Sequence, residues 1–252
     1  MRRHLIGGLM AVLVATGTAV AAETPEMPHR HWSFDGMFGT FDRAAARRGL
    51  EVYRNVCAAC HSLSFVHYRD LTELGYSADE VKAIAAEQTV TDGPNDQGEM
   101  YERPARPSDV FKAPFPNAQA ARAANNGALP PDLSLVVEAR RGGADYIDGV
   151  LTGFEEPPAG VTVPQGMYYN RYFPGHMIAM PPPLADGTVT YSDGIKATLP
   201  QEASDVVTFL AWTAEPNLEV RRRMGVKVVL FLLVFTGLLY AVKRKVWLDV
   251  GH

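Results

Sequence analysis

The pentapeptide Cys57-Ala58-Ala59-Cys60-His61 constrains this chain more than any other feature. Two thiols three positions apart can add to the two vinyl groups of one haem, and the adjacent imidazole then ligates the iron from below the ring. A chain that accepts this group folds around a flat macrocycle. Two other readings compete. A redox dithiol expects a thioredoxin-like βαβ context, and none is visible. A structural zinc site needs four ligands, usually with a second Cys or His pair, and the chain has no third cysteine. The motif therefore predicts one haem c, covalent through Cys57 and Cys60, with both thiols consumed and no disulfide.

The two ends set the compartment. Hydrophobic residues make up 47% of the 252 and charged residues 21%, which excludes a disordered chain. Residues 1–22 read as a cleaved secretory signal: Arg2, Arg3 and His4, an apolar core, then the small residues Ala19-Val20-Ala21-Ala22. Residues 224–242 are apolar apart from Lys227, which can snorkel, and are long enough to cross a bilayer. Arg221-Arg222-Arg223 precede this stretch and Lys243-Arg244-Lys245 follow it, with Tyr240 and Trp247 at interfacial positions. The flanking charge is nearly balanced, so the signal sets the orientation. The expected organisation is a signal at 1–22, an exported haem domain at 23–220, an anchor helix at 221–246 and a cytoplasmic tail at 247–252.

Charge is partitioned along the chain. Of 24 basic residues, two lie in the signal and seven from Arg221 onward, leaving 15 in the exported part. Of 28 acids only Asp249 lies outside it, leaving 27 and a net charge of about −12. Such a surface excludes nucleic acid and favours a basic partner steered by the field.

No internal repeat is evident. Helical spacing covers 41–57, and Ser77-Ala-Asp-Glu80 is a capping box for a helix to about Glu87. Residues 91–117 read as a long loop. Asn117 is placed to cap a short helix ending at Asn126-Gly127. Residues 133–140 and 144–151 read as two more helices, 153–200 as a long irregular stretch, and 201–213 as helix again. Pro216 suits the first turn of a last helix running unbroken into the membrane. The fold class expected is mainly α.

A sixth iron ligand separates an electron carrier from an open-site haem enzyme; methionine closes the site and raises the potential. The candidates are Met167, His176, Met177 and Met180, all in the irregular stretch. Met180 stands out because Pro181-Pro182-Pro183 stiffen the backbone beside it.

Several segments together resemble the cytochrome c1 family, the haem subunit of the quinol:cytochrome c oxidoreductase (the cytochrome bc complex). They are Cys-Ala-Ala-Cys-His-Ser at 57–62, Asp-Gly-Pro-Asn-Asp-Gln-Gly-Glu-Met at 92–100, and the run from Ala120 to Ser134 with Asn-Asn-Gly-Ala-Leu-Pro-Pro-Asp. Ala-Arg-Arg-Gly-Gly at 139–143 with Asp145-Tyr146, Tyr-Phe-Pro-Gly at 172–175, Met-Pro-Pro at 180–182 and Ala-Glu-Pro at 214–216 extend the likeness across 30–247. The resemblance implies a class I cytochrome c-like haem domain with long loop insertions plus one C-terminal transmembrane helix. It implies Met180 as the axial methionine, Arg140 rather than Arg141 as the propionate ligand, and Asn125 and Tyr146 near the haem. It also implies that the carbonyl of Pro130 holds the other ring nitrogen of His61. Relatives with an insertion and a second Cys pair near the methionine loop differ from this chain, which has neither; the prolines at 181–183 are expected to hold that loop.

The implied function is one-electron transfer from a Rieske iron–sulfur protein to a soluble basic c-type cytochrome. The chain would act beside cytochrome b in a dimeric complex and would not be an enzyme alone. A single-pass inner (cytoplasmic or chromatophore) membrane protein follows, with the haem domain in the periplasm. The alternative is a free membrane-anchored cytochrome that feeds a terminal oxidase. Between Asp70 and Glu102, nine acids and one base (Lys82) offer a dock for the basic partner.

Overall fold

The computed structural model describes residues 27–248, so the expected signal and the last four residues of the expected tail lie outside the described residues. Six α-helices and two short antiparallel ribbons are described, so the chain is mainly helical, as expected.

Helix α1 (Arg43–Asn55) starts where the Asp42 carboxylate accepts from the N–H groups of Ala44 and Ala45 at 2.9 and 3.0 Å. Those donors have no partner within the first turn, which is why an acid is favoured there. Ala46, Gly49, Leu50 and Tyr53 form its buried face. That face packs on helix α5 (Leu199–Ala214), in which every residue from Asp205 to Thr213 is buried. A helix apolar nearly all round has core on all sides. Asp205 goes into this core because Arg48 meets it with a fork of two bonds, Nε to Oδ2 at 2.8 Å and Nη2 to Oδ1 at 3.0 Å. The planar guanidinium matches the carboxylate edge to edge, so this pair fixes the register of the α1–α5 crossing.

Helix α4 (Gly143–Thr152) packs on α5, α2 (Ala78–Ala86) packs on the turn at 68–74 beside α1, and the short α3 (Ala118–Ala124) lies between α2 and α4 in the chain. The expected caps are present. The Ser77 and Glu80 side chains bond reciprocally to each other's backbone N–H, and Asn117 Oδ1 accepts from Ala120 N at 2.8 Å. A 3₁₀ turn over Tyr68–Leu74 had no counterpart in the sequence reading.

Two expectations are corrected. Residues 91–117 are not all loop: β1 (Thr89–Asp92) pairs antiparallel with β2 (Tyr101–Pro104). Its strands are short and mostly exposed, so no alternation of apolar residues announces it. Its base is gathered by Arg103, which bonds both Asp92 and Asp109. Residues 133–140 are successive turns instead of a helix. Leu133, Val136 and Val137 are buried at helix-like spacing, but the bonds that follow are scattered turns, Val136 N to Leu133 O at 3.2 Å and Ala139 N to Leu135 O at 2.9 Å, which do not build into a continuous ladder.

The Arg103 node makes a pH prediction. Hydrogen bonds from the Arg103 guanidinium, outweighing the cost of burial, hold the Asp109 carboxyl down at about 2. A depressed carboxylate stabilises the fold fully above its unfolded value near ~4, and that contribution is lost as pH falls through about 2. Asp109→Asn should therefore be less stable than the parent above pH ~4, with the gap closing toward pH ~2. Denaturant unfolding across that range reads it; a gap that stays constant with pH would refute it.

Helix α6 (Leu218–Val246) is 29 residues long with a mean hydropathy of 2.3 in its most apolar window, none of it buried. At 1.5 Å per residue it spans about 43 Å, more than the ~30 Å hydrocarbon core. It runs unbroken, as expected, but starts at Leu218; Asn217 is the cap and Pro216 stands just outside.

Candidate haem site

The motif leaves α1 in a 3₁₀ turn, Cys57–Ala59, where the N–H groups of Cys60 and His61 both donate to the Cys57 carbonyl at 3.1 and 2.9 Å. Both cysteines are free thiols in the structure. Burial pushes the Cys57 thiol up to about 12. A redox dithiol needs a nucleophilic thiol of lowered pKa, and Cys57 does not offer one. The zinc reading fares no better: among the described residues no group of three or more His, Cys, Asp and Glu side chains could hold a metal ion.

Cys57, Cys60 and His61 open onto a cavity of about 460 Å³. Val56 and Leu133 line it near the motif, Ile147, Val150 and Leu151 line it from α4, and Val206 and Leu210 from α5. A mostly apolar wall with a few polar groups suits a flat organic cofactor. Met180, Arg140, Asn125, Pro130 and Tyr146 also line this cavity, so all eight sequence-derived site residues come together there. Of the four candidate sixth ligands, only Met180 lines it. Met167 faces a different recess, and neither His176 nor Met177 is among the lining residues. His176 stacks on Tyr169 instead. Arg140 lines the cavity while Arg141 does not, and the Arg140 side chain has no carboxylate partner among the described residues.

The His61 ring is held from behind, but by a different carbonyl. Its Nδ1 lies 2.7 Å from the oxygen of Pro131, not Pro130. Burial lowers the His61 pKa, opposed by the Pro131 carbonyl and Asp132. This arrangement places Nδ1–H on the carbonyl and leaves Nε2 with a lone pair able to ligate a metal.

The Pro131 carbonyl is in turn positioned by Asp132. Its Oδ2 accepts from Ser62 Oγ at 2.7 Å and Ser64 N at 2.8 Å, and its Oδ1 from Ser134 N at 2.8 Å. Burial raises this carboxyl, but the bonds from Ser134, Ser64 and Ser62 outweigh it and bring it to about 2. Tyr53 adds a second tie, its hydroxyl donating to the His61 carbonyl at 3.0 Å. Sequence reasoning missed Pro131, Asp132 and Tyr53 as supports; Asp132 ends the quoted Pro-Pro-Asp run, and that was the available signal.

The methionine loop is held without a disulfide. Strands β3 (Tyr168–Tyr169) and β4 (Met177–Ile178) pair just before Met180. The fully buried Asn170 joins them to α4: its Nδ2 donates to Val150 O at 2.8 Å, and its Oδ1 accepts from Tyr172 N and Phe173 N at 3.1 Å. Pro181 and Pro183 complete the wall beside Met180. The prolines therefore share the work with a polar knot the sequence did not reveal. Asn170→Ala leaves one carbonyl and two N–H groups without these partners, and should cost about 3 kcal/mol in denaturant unfolding. A loss under about 1 kcal/mol would show that water replaces the amide.

The helical fold, the Cys-x-x-Cys-His turn and the apolar cavity define a haem protein carrying one membrane-length helix. A family model described as the Cytochrome C1 family matches residues 32–250, and the chain belongs to the cytochrome c1 family. Cytochrome c1 of Rhodospirillum rubrum is 44% identical over 269 residues, covering 100% of this chain and 98% of that protein. Cytochrome c1-2, heme protein, mitochondrial, of Solanum tuberosum is 49% identical over 227 residues, covering 90% and 87%. Cytochrome b/c1 of Bradyrhizobium diazoefficiens is 54% identical over 244 residues, covering 88% of this chain and 36% of that protein. The chain thus spans about a third of the Bradyrhizobium protein.

Proposed function

We propose that this chain carries one haem c, bound covalently through Cys57 and Cys60, and relays single electrons in a quinol:cytochrome c oxidoreductase. The observation that carries the reading is the convergence of Cys57, Cys60, His61 and Met180 on one apolar cavity. When bound, the haem supplies a one-electron iron couple.

The chain's own residues do the rest. His61 Nε2 and the Met180 sulfur would hold the iron, and the Pro131 carbonyl, set by Asp132, fixes the imidazole plane. Arg140 would bind and neutralise a propionate. Asn125, Pro130 and Tyr146 bound the remaining rim, and the α4 and α5 side chains exclude water. With His61 and Met180 both holding the iron, the site would need little rearrangement between redox states, which suits a relay.

In this reading residues 1–22 are a cleaved signal, α6 anchors the chain, and the haem domain faces the periplasm. Cytochrome b shares the membrane, a Rieske iron–sulfur protein donates the electron, and a soluble basic c-type cytochrome accepts it within a dimeric complex. A reduced-minus-oxidised spectrum of the protein, purified from its own membranes in mild detergent, tests this. A c-type band with b-type haem supports it; a c-type band alone, with other membrane complexes intact, would favour the free anchored carrier.

The acidic dock is narrower than its sequence suggested. Asp92 is paired with Arg103, Glu87 with Arg54, Glu80 with Ser77 and Arg47, and Glu102 accepts from Thr91. Glu73, Asp79, Asp96 and Glu99 are exposed, with no ion-pair partner among the described residues, and Asp96 and Glu99 lie together in the loop between β1 and β2. Reversing these two to lysine should slow reduction of a basic cytochrome about tenfold at low salt and hardly at all at high salt. An equal rate at low salt would remove them as steering groups.

A further inference from the structure

The segment between Trp32 and Arg43 is built as a collar around the start of α6. Thr40 N donates to Ser33 O at 3.0 Å and Asp35 N to Trp32 O at 3.1 Å, closing a tight loop. At its foot Trp32 stacks on Phe34, and Phe34 packs tilted against Phe41, all three buried in the core. The loop closes only because position 39 is glycine, since a Cβ there would lie 2.1 Å from the Asp35 oxygen. Two residues of α6 grip it. The Glu219 carboxylate accepts from Phe41 N at 2.9 Å and pairs with Arg43. One Arg222 nitrogen donates to the carbonyls of both Phe34 and Gly39, at 2.6 and 3.1 Å.

The apex of this braced loop is Met37 and Phe38, which are 66% and 82% exposed. An apolar pair held outward on a rigid base does not arise from a slack loop. Its place on the chain says what covers it. Arg222 lies two residues before Met224, where the apolar stretch begins, or ~3 Å along the helix axis. The headgroup layer is roughly 5–8 Å deep on each side of the hydrocarbon core. Helical side chains also lean toward the N-terminus, so Arg222 reaches its loop carbonyls from within that layer. The collar therefore sits beside the lipid boundary, where apolar side chains are favourable.

We propose that the Met37–Phe38 loop is a second membrane contact, inserted into the headgroup boundary beside α6 and locked to it by Arg222. It would set the tilt and rotation of the haem domain on the membrane, which one helix with a single joint leaves free. The proposal rests on α6 spanning the bilayer.

The test uses the full-length chain in its native membranes with a photoreactive p-benzoylphenylalanine replacing Phe38. The same substitution at Phe231 and at Leu233, two faces of α6, reports the span itself, and at Phe65, an exposed phenylalanine outside the collar, it reports background. Illumination should give lipid adducts at position 38 at least about fivefold above position 65, read by mass spectrometry. Adducts at 231 or 233 but only background at 38, or a protein adduct at 38, would overturn the proposal and leave the span intact. Background at 231, 233 and 38 alike would overturn both. Arg222→Gln should lower the yield at 38 several-fold while keeping that at 231 or 233; an unchanged yield would overturn the lock.

Discussion

Replacing Met180 with leucine should lower the haem potential by on the order of 0.1 V or more, within the ~0.8 V range that axial ligands command. Carbon monoxide should then bind the reduced protein readily, because a thioether ligand has been removed and nothing else on the cavity wall supplies one. The fold should survive. Leucine and methionine have nearly the same volume, and such swaps usually cost under ~1.5 kcal/mol. The loop is also pinned upstream by the β3–β4 pair and Asn170, which the substitution leaves untouched. Met167→Leu and Met177→Leu serve as controls, since neither residue lines the cavity. A redox titration and a carbon monoxide difference spectrum decide the matter. An unaltered potential in Met180→Leu would sink the assignment; a drop in Met177→Leu instead would move it there.

What could be read from the chain alone depended on how far apart the interacting groups lie. Cys57, Cys60 and His61 act across five positions, and the Ser77–Glu80 and Asn117 caps act within one turn, so local spacing is enough to find them. The long α6 needed only its own hydropathy. Groups that act across the fold were read poorly. Asn170 serves Val150, twenty positions away, and an asparagine among prolines and glycines looks like any loop residue. Pro130 and Pro131 are adjacent and chemically identical, so only the path of the chain past His61 decides which carbonyl faces the ring. At 133–140 the spacing of Leu133, Val136 and Val137 records burial correctly, while the backbone there closes only scattered turn bonds. Apolar period reports which side faces the core; it does not report where the backbone hydrogen bonds go.

The acidic surface shows the same limit. Counting acids between Asp70 and Glu102 gave a dock of nine, but a carboxylate is available to a partner only if its own fold has not claimed it. Arg103 stands just outside that window, yet it claims Asp92. A charge count along the sequence therefore overstates the field at close range, though the net charge that steers a distant partner is unaffected.

Gly49→Ala should be among the most damaging single changes available to this domain, because it strikes the crossing on which the haem cavity depends. A Cβ at position 49 would lie 2.1 Å from the Asp205 carbonyl oxygen and 2.6 Å from Phe209 Cβ. Neither neighbour can yield by a rotamer change, as one is backbone and the other a side-chain root in a fully buried stretch of α5. The helices must separate by about 1 Å or more, whereas close-packed interiors resist far smaller changes. Separation would also stretch the Arg48–Asp205 fork and shift Val206 and Leu210, the cavity-lining neighbours of Asp205 and Phe209. Alanine's better helix propensity returns only ~1 kcal/mol. A net loss of at least about 3 kcal/mol should follow, at the upper end of overpacking costs. Denaturant unfolding of the haem-bearing protein measures it, and haem yield in the membranes gives a second readout. A loss below ~1 kcal/mol would mean that α1 and α5 can slide without strain, and the crossing would no longer explain how the two walls of the cavity are held together.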